Sequence, residues 1–212
     1  MATTTNYGWT TPDDTSLVKD GASAIRTLGS AIDTSLNTAL GTKKAGLVLL
    51  NTTSFSGVTT QSINDVFSST YENYRIVLRF SSSTGAVSMR MRVSGTDTSS
   101  SDYTYIRGSA NSDTGPTWAL TQSLSATSWA SLNASDNAST SGYIFDMFAP
   151  NLAQNTTFNA QTNGTESSVP IRVYTAVYSG VLRLTTQYTG FTIIGATALG
   201  LTGKVSVYGY NI

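Results

Sequence analysis

The chain has 212 residues, its 12 Lys+Arg balanced by 12 Asp+Glu, with no His and no Cys. That length holds one large β-domain or two small ones with a proper core, and the missing basic stripe gives no electrostatic basis for binding nucleic acid or acidic lipid. Without Cys there is no disulfide framework and no thiolate chemistry; without His the commonest general base and metal ligand is missing, although carboxylates could still act in pairs.

The opening, MATTTNYGW, has no basic region followed by an apolar run, so no signal peptide is expected. No apolar stretch approaches the roughly 20 residues that span a bilayer, so no membrane insertion is expected. Residues 1–12 show no periodic apolar pattern, yet Tyr7 and Trp9 flank Gly8 and Pro12 closes the segment. An extended strip of this kind suits a groove on a partner, with two rings in pockets and Gly8 allowing close backbone approach. The alternative is that the rings fold back on the following helix as a staple.

Thr11-Pro12-Asp13-Asp14 predicts a helix start: a capping hydroxyl, a proline at the first helical position, and acidic residues where the dipole favours them. The helix should run to about Leu40 and stop at Gly41, with Lys43 and Lys44 near its carboxyl end. Within it Val18, Ala22, Ile25, Gly29, Ile32, Leu36 and Ala39 follow at spacings of 4, 3, 4, 3, 4 and 3, a narrow heptad seam. Its small residues let several helices approach closely, which favours a parallel homotrimer over a helix lying on its own β-domain, where a broader stripe is expected. The domain division is therefore an anchoring segment (1–12), an oligomerisation helix (13–41) and a β-head (42–212).

From Gly46 onward helical spacing gives way to alternation. Tyr74, Ile76, Leu78 and Phe80 point one way along a first strand; Val87, Met89, Met91 and Val93 do so along a second. The turn Ser82-Ser83-Thr84-Gly85 between them predicts a hairpin. Further strands are expected at 46–50, 54–62, 103–107, 117–125, 141–149, 155–161, 170–179, 189–195 and 202–210. Ser and Thr make up about three residues in ten, but the periodic apolar content argues for a folded domain with a hydroxyl-covered surface. Ten or eleven short strands with no second helix predict a mainly β protein: an antiparallel sandwich of jelly-roll type behind a coiled-coil-like helix.

Arg75, Arg79, Arg90 and Arg92 fall on the polar faces of the first two strands, where cross-strand pairing with carboxylates is the structural expectation and an anion patch the functional one. The carboxylates Asp65, Glu72, Asp97, Asp102, Asp113, Asp136, Asp146 and Glu166 are scattered, and none pairs locally at the spacing glycoside cleavage needs. No loop has the ligand spacing of a calcium hand, so neither metal nor cofactor is expected. Aromatic rings among small polar residues suit sugar contact: Trp118, Trp129, Tyr103 and Tyr105 are the candidates. The alternative for each is a ring capping the core.

The stretch NYGWTTPDDTSLVKDGASAIRTLGSAIDTSL resembles the opening of short tail-fibre and minor tail proteins of tailed bacteriophages, particularly marine and cyanobacterial ones. The segments GLVLLNTTSFSGVTTQSINDVFSSTYENYRIVLRF and GFTIIGATALGLTGKVSVYGYNI look like the same group, so the resemblance covers most of the chain. It implies a non-enzymatic virion protein, assembled in the bacterial cytoplasm and attached to other tail or baseplate proteins through Tyr7, Gly8, Trp9 and Pro12. The β-head would then face a host-surface glycan or receptor. A capsid-decorating head fibre and a polysaccharide-degrading tail enzyme are the rival expectations.

Overall fold

A computed structural model describes residues 2–12, 17–41, 46–82, 85–112, 118–130, 132, 138–166, 172–195 and 200–211. The protein is mainly β, with antiparallel sheets and one α-helix among the described residues. It divides into two compact units, one reaching to Gly46 and including Asn211, the other running from Leu47 to Tyr210.

In the first unit, β1 (Ala2–Thr3) pairs antiparallel with β2 (Thr10–Thr11). The residues expected to be an extended strip therefore form a hairpin. Gly8 supplies a left-handed φ of 65°, and its N–H donates to the Thr4 carbonyl at 2.9 Å. Tyr7 and Trp9 stack with ring centroids 5.0 Å apart, and Trp9 Nε1 donates to Ser35 Oγ on the helix at 3.1 Å. Of the two rings, Trp9 is the one that reaches back to the helix, while Tyr7 stacks on it and stays exposed.

Helix α1 spans Val18–Leu36 and passes into a π-helical turn, Asn37–Gly41. It begins later than the Thr11-Pro12 cap signal predicts, with Leu17 as an uncapped N-terminal residue. Thr11 pairs in β2 instead, so it is unavailable as a cap; Asp13, Asp14, Lys43 and Lys44 lie outside the described residues. The Thr hydroxyls that would compete with the helix are satisfied by it: Thr27 and Thr34 donate to the carbonyls of Ser23 and Ser30 at 3.0 and 2.8 Å.

The second unit contains β3 (Gly46–Val58), β4 (Thr60–Ile63), β5 (Asn73–Ser82), β6 (Val87–Val93), β7 (Thr96–Asp97), β8 (Tyr103–Asn111) and β9 (Ala119–Ala126). It continues with β10 (Ala138–Phe148), β11 (Thr156–Glu166), β12 (Arg172–Leu182), β13 (Gly190–Gly195) and β14 (Leu201–Asn211). Eight strands form one sheet in the order β3-β14-β5-β10-β11-β12-β8-β9, and four form a second in the order β4-β13-β6-β7. The expected hairpin of β5 with β6 does not form: β5 pairs with β10 and β14, β6 with β13 and β7. Each strand has a complete apolar face, and a hairpin would set both faces side by side on one sheet. Splitting the strands between sheets puts Ile76, Leu78 and Phe80 into the same buried cluster as Val87, Met89 and Met91.

That cluster is the core. Its largest fully buried side chains include Trp129, Tyr74, Tyr103, Tyr143, Tyr188 and Phe80. Each such ring contributes about 1.5–3 kcal/mol through apolar burial, and the T-shaped contact of Phe80 with Tyr143 at 5.3 Å adds about 1 kcal/mol.

Candidate functional site

The expected sugar-contact residues separate sharply. Trp129 is 1% exposed and Tyr103 is fully buried, so neither meets a ligand at the surface. Trp129 exchanges backbone hydrogen bonds with Met89, 2.9 and 3.0 Å long, which bring it into the smaller sheet. Its ring stands edge-on to Tyr103 at 5.1 Å and tilts against Phe158 at 4.6 Å. Gly180 makes this possible, since a Cβ there would meet Phe158 at 2.3 Å. The Tyr103 hydroxyl accepts from the Met91 N–H at 2.9 Å and donates to the Thr98 carbonyl at 3.0 Å, and burial pushes its pKa well up. Tyr105 is partly buried against the same core. The polar neighbours of Trp129 in sequence are no guide here, because its packing partners come from distant strands.

Trp118 alone of the four is open to solvent, at 55% exposure. It lies on the outward face of the eight-stranded sheet. Gly108 forms the floor there: a Cβ on it would meet the Trp118 ring at 3.2 Å, so glycine lets the indole pack close to β8. Trp118, Leu120, Ile106, Gly108 and Val177 line a shallow cleft of about 490 Å³.

The pleat extends this site across the sheet. Val77 of β5 pairs with Ile144 of β10, Ile144 with Gln161, Gln161 with Val177, Val177 with Gly108 and Gly108 with Leu120. Beside that row runs a second, in which Arg75, Asp146, Asn159, Ser179, Ile106 and Gln122 stand opposite one another in turn. The sequence pattern contains these residues, but single-strand alternation does not reveal that four apolar outward side chains, Val77, Ile144, Val177 and Leu120, line up in one row with Gln161 and Gly108. Exposed β-branched residues on otherwise polar faces, such as Val77 between Arg75 and Arg79, are the only signal.

One ion pair belongs to this face. Arg75 donates to both Asp146 oxygens at 2.7 Å, from Nε and from a terminal nitrogen, and the Tyr210 hydroxyl donates to Asp146 Oδ1 at 2.6 Å. The Arg75 guanidinium lies over the Tyr210 ring at 5.6 Å. The Arg75 hydrogen bonds hold the Asp146 carboxyl below its ordinary range. Burial, and then the bond to Asp146, raise the Tyr210 hydroxyl above its own. Arg92 is paired likewise with Asp97 across β6 and β7, and its Nε donates to Asn64 Oδ1 at 2.8 Å. Arg90 donates to the Thr127 carbonyl at 3.1 Å. Pairing thus accounts for two of the arginines singled out in the sequence. Among the described residues no His, Cys, Asp or Glu cluster is arranged to hold a metal ion.

In the first unit, α1 loses exposure at Gly21, Ala24, Leu28, Ala31 and Ser35, the side on which β2 packs. At about 100° per residue this side lies roughly a quarter turn from the heptad seam. The seam stays uncovered within the unit: Val18, Ala22, Ile25, Gly29 and Leu36 are exposed, Val18 by 98%, and Ile32 is half-buried at the border between the two sides. Tyr7, at 72%, is the exposed member of the aromatic pair, and Pro12 is exposed beyond the hairpin.

Comparison with models of known protein families, with curated proteins and with solved structures finds no match to this chain.

Proposed function

We propose that this chain is a structural protein of a tailed-bacteriophage virion, a short tail fibre held by its amino end and contacting a host-surface glycan or receptor with its β-head. In this reading three chains associate in parallel through the α1 seam, the N-terminal hairpin docks on other tail or baseplate proteins, and the head is a jelly-roll-type sandwich. The observation that carries it is the seam: a 19-residue helix with no buried residue has its hydrophobic stripe uncovered. In proteins a helix draws most of its stability from packing of its apolar face, so a partner for this uncovered stripe is called for, and a heptad seam suits a second helix. The resemblance of residues 6–36 to phage fibre openings supplies the setting, and two antiparallel sheets sharing one cluster fit the sandwich. The exposed Trp118 ring, with Gln122 two positions beyond Leu120 on the same outward face, fits sugar contact at the head.

Purified protein should bind host cells and extracted surface polysaccharide, and Trp118→Ala should weaken that binding without lowering stability. No binding to either at saturating concentration rejects the adhesin role and leaves a purely structural one. Release of reducing sugar would favour the enzyme reading instead, and labelling on the capsid the head-fibre reading.

A further inference from the structure

We infer that the outward face of the eight-stranded sheet, centred on Val77, Ile144 and Val177, is the surface through which the β-heads of neighbouring copies of this chain pack together. This rests on the self-assembling reading above and names the head surface that serves it.

Charge is the first observation. From β10 to β9 the outward positions of five consecutive strands hold Ile144, Phe148, Val173, Val177, Ile106 and Leu120 among Thr, Ser, Asn and Gln. Among the described residues the one charged side chain on these five strands' outward positions is Asp146, which Arg75 neutralises; β5, which brings Val77 to the face, adds the exposed Arg79 two positions further along. A sheet face that ends in water ordinarily alternates in polar and charged residues. Depletion of charge around an apolar centre marks the core of a protein interface.

Side-chain shape decides the occupant. A sugar needs flat rings to cover its apolar face; the exposed rings of this surface, Trp118 and Phe148, stand away from the row of Val77 and Ile144, and Trp118 meets Val177 only at the β9 end. Val77, Ile144 and Val177 are branched aliphatics 38%, 44% and 45% exposed, which interdigitate with other side chains. Size agrees. Six strands about 4.8 Å apart, with outward residues spread over about 25 Å along β12, project to on the order of 600 Å². A stable interface buries about 800 Å² of accessible surface per partner, so this face is of the right order for one copy against another. It also ends at β9, an edge strand of eight residues without charge or proline. Edge strands left in solution usually carry such protection. Association through α1 would hold the heads at high effective concentration, so a face of this size suffices for their contact.

The test uses the full-length chain. Ile144→Lys with Val177→Lys places two charges at outward positions and leaves the core untouched. Sedimentation equilibrium should show association weakened at least about tenfold, with near-ultraviolet dichroism unchanged. An unaltered association constant overturns the proposal. Because the chain has no Cys, Val177→Cys gives a single spin-label site whatever the charged variant does. In the assembled protein the label should be immobilised and dipolar-broadened, and the broadening should vanish when labelled chains are diluted with unlabelled ones. A mobile label in an assembled oligomer removes this face alone and leaves the fibre reading standing. Immobilisation only after host polysaccharide is added hands the face to a glycan and also overturns the proposal. A wild-type chain that sediments as a monomer at micromolar concentration removes the self-assembling reading and this interface with it.

Discussion

At the scale of single residues, two tryptophans in similar Ser/Thr-rich surroundings have opposite fates. Trp129 is locked into the core by its bridge to Met89 and by the space Gly180 leaves, while Trp118 lies on the surface over Gly108. Trp129→Ala should therefore cost about 3–5 kcal/mol of unfolding free energy, whereas Trp118→Ala should stay within about 0.5 kcal/mol of wild type. Denaturant unfolding of both variants measures this directly; equal effects would contradict the placement of both rings. The same surroundings misdirect Tyr103, whose hydroxyl is occupied by Met91 and Thr98 rather than open to a ligand.

At the scale of elements, the pairing of β5 with β10 sets Arg75 opposite Asp146, and their geometry is bidentate. Both side chains are partly exposed, 34% and 27%, so the pair contributes on the order of 1 kcal/mol. The sign of its pH dependence follows from the depressed Asp146 pKa. The contribution is present above the ordinary carboxylate value and is lost as pH falls from there through the lower folded value. Wild type should exceed Asp146→Asn in stability by a constant margin between about pH 5 and 7, and the margin should close below about pH 4. Melting curves across that range check it; a margin that widens on acidification would contradict the sign. β5 also shows how a strand can be legible while its partner is not. Its alternation gives both faces from sequence, yet the next strand in the chain, β6, belongs to the other sheet.

For the whole molecule, two uncovered apolar surfaces lie in two separate units: the α1 seam and the outward sheet face. Ile25→Asp with Ile32→Asp buries charge in any helix–helix contact at the seam, and removes about 1.5–3 kcal/mol of apolar burial per side chain in each chain. The assembled mass should fall in analytical ultracentrifugation while the β-unit melts as before. An unchanged mass would place the chain-to-chain contact entirely in the head. Because 12 Lys+Arg offset 12 Asp+Glu, bulk electrostatics favours neither assembly nor dispersal, and apolar area decides.

Periodicity by itself determined the switch from helix to strands near Gly46, nearly every strand from 46 to 211, and the α1 seam, because these follow from side-chain spacing along one element. Tertiary structure alone decided which strands neighbour which, and hence that Val77, Ile144 and Val177 line up on one face. It also decided that residues 2–11 fold as a hairpin on Leu28 and Ser35's side of α1, that the helix begins at Val18, and that Trp129 lies inside. Each of these depends on contacts between residues far apart in the chain. Local composition at Trp9, Thr11 and Trp129 is compatible with several environments, and the free energy of packing against distant partners selects one.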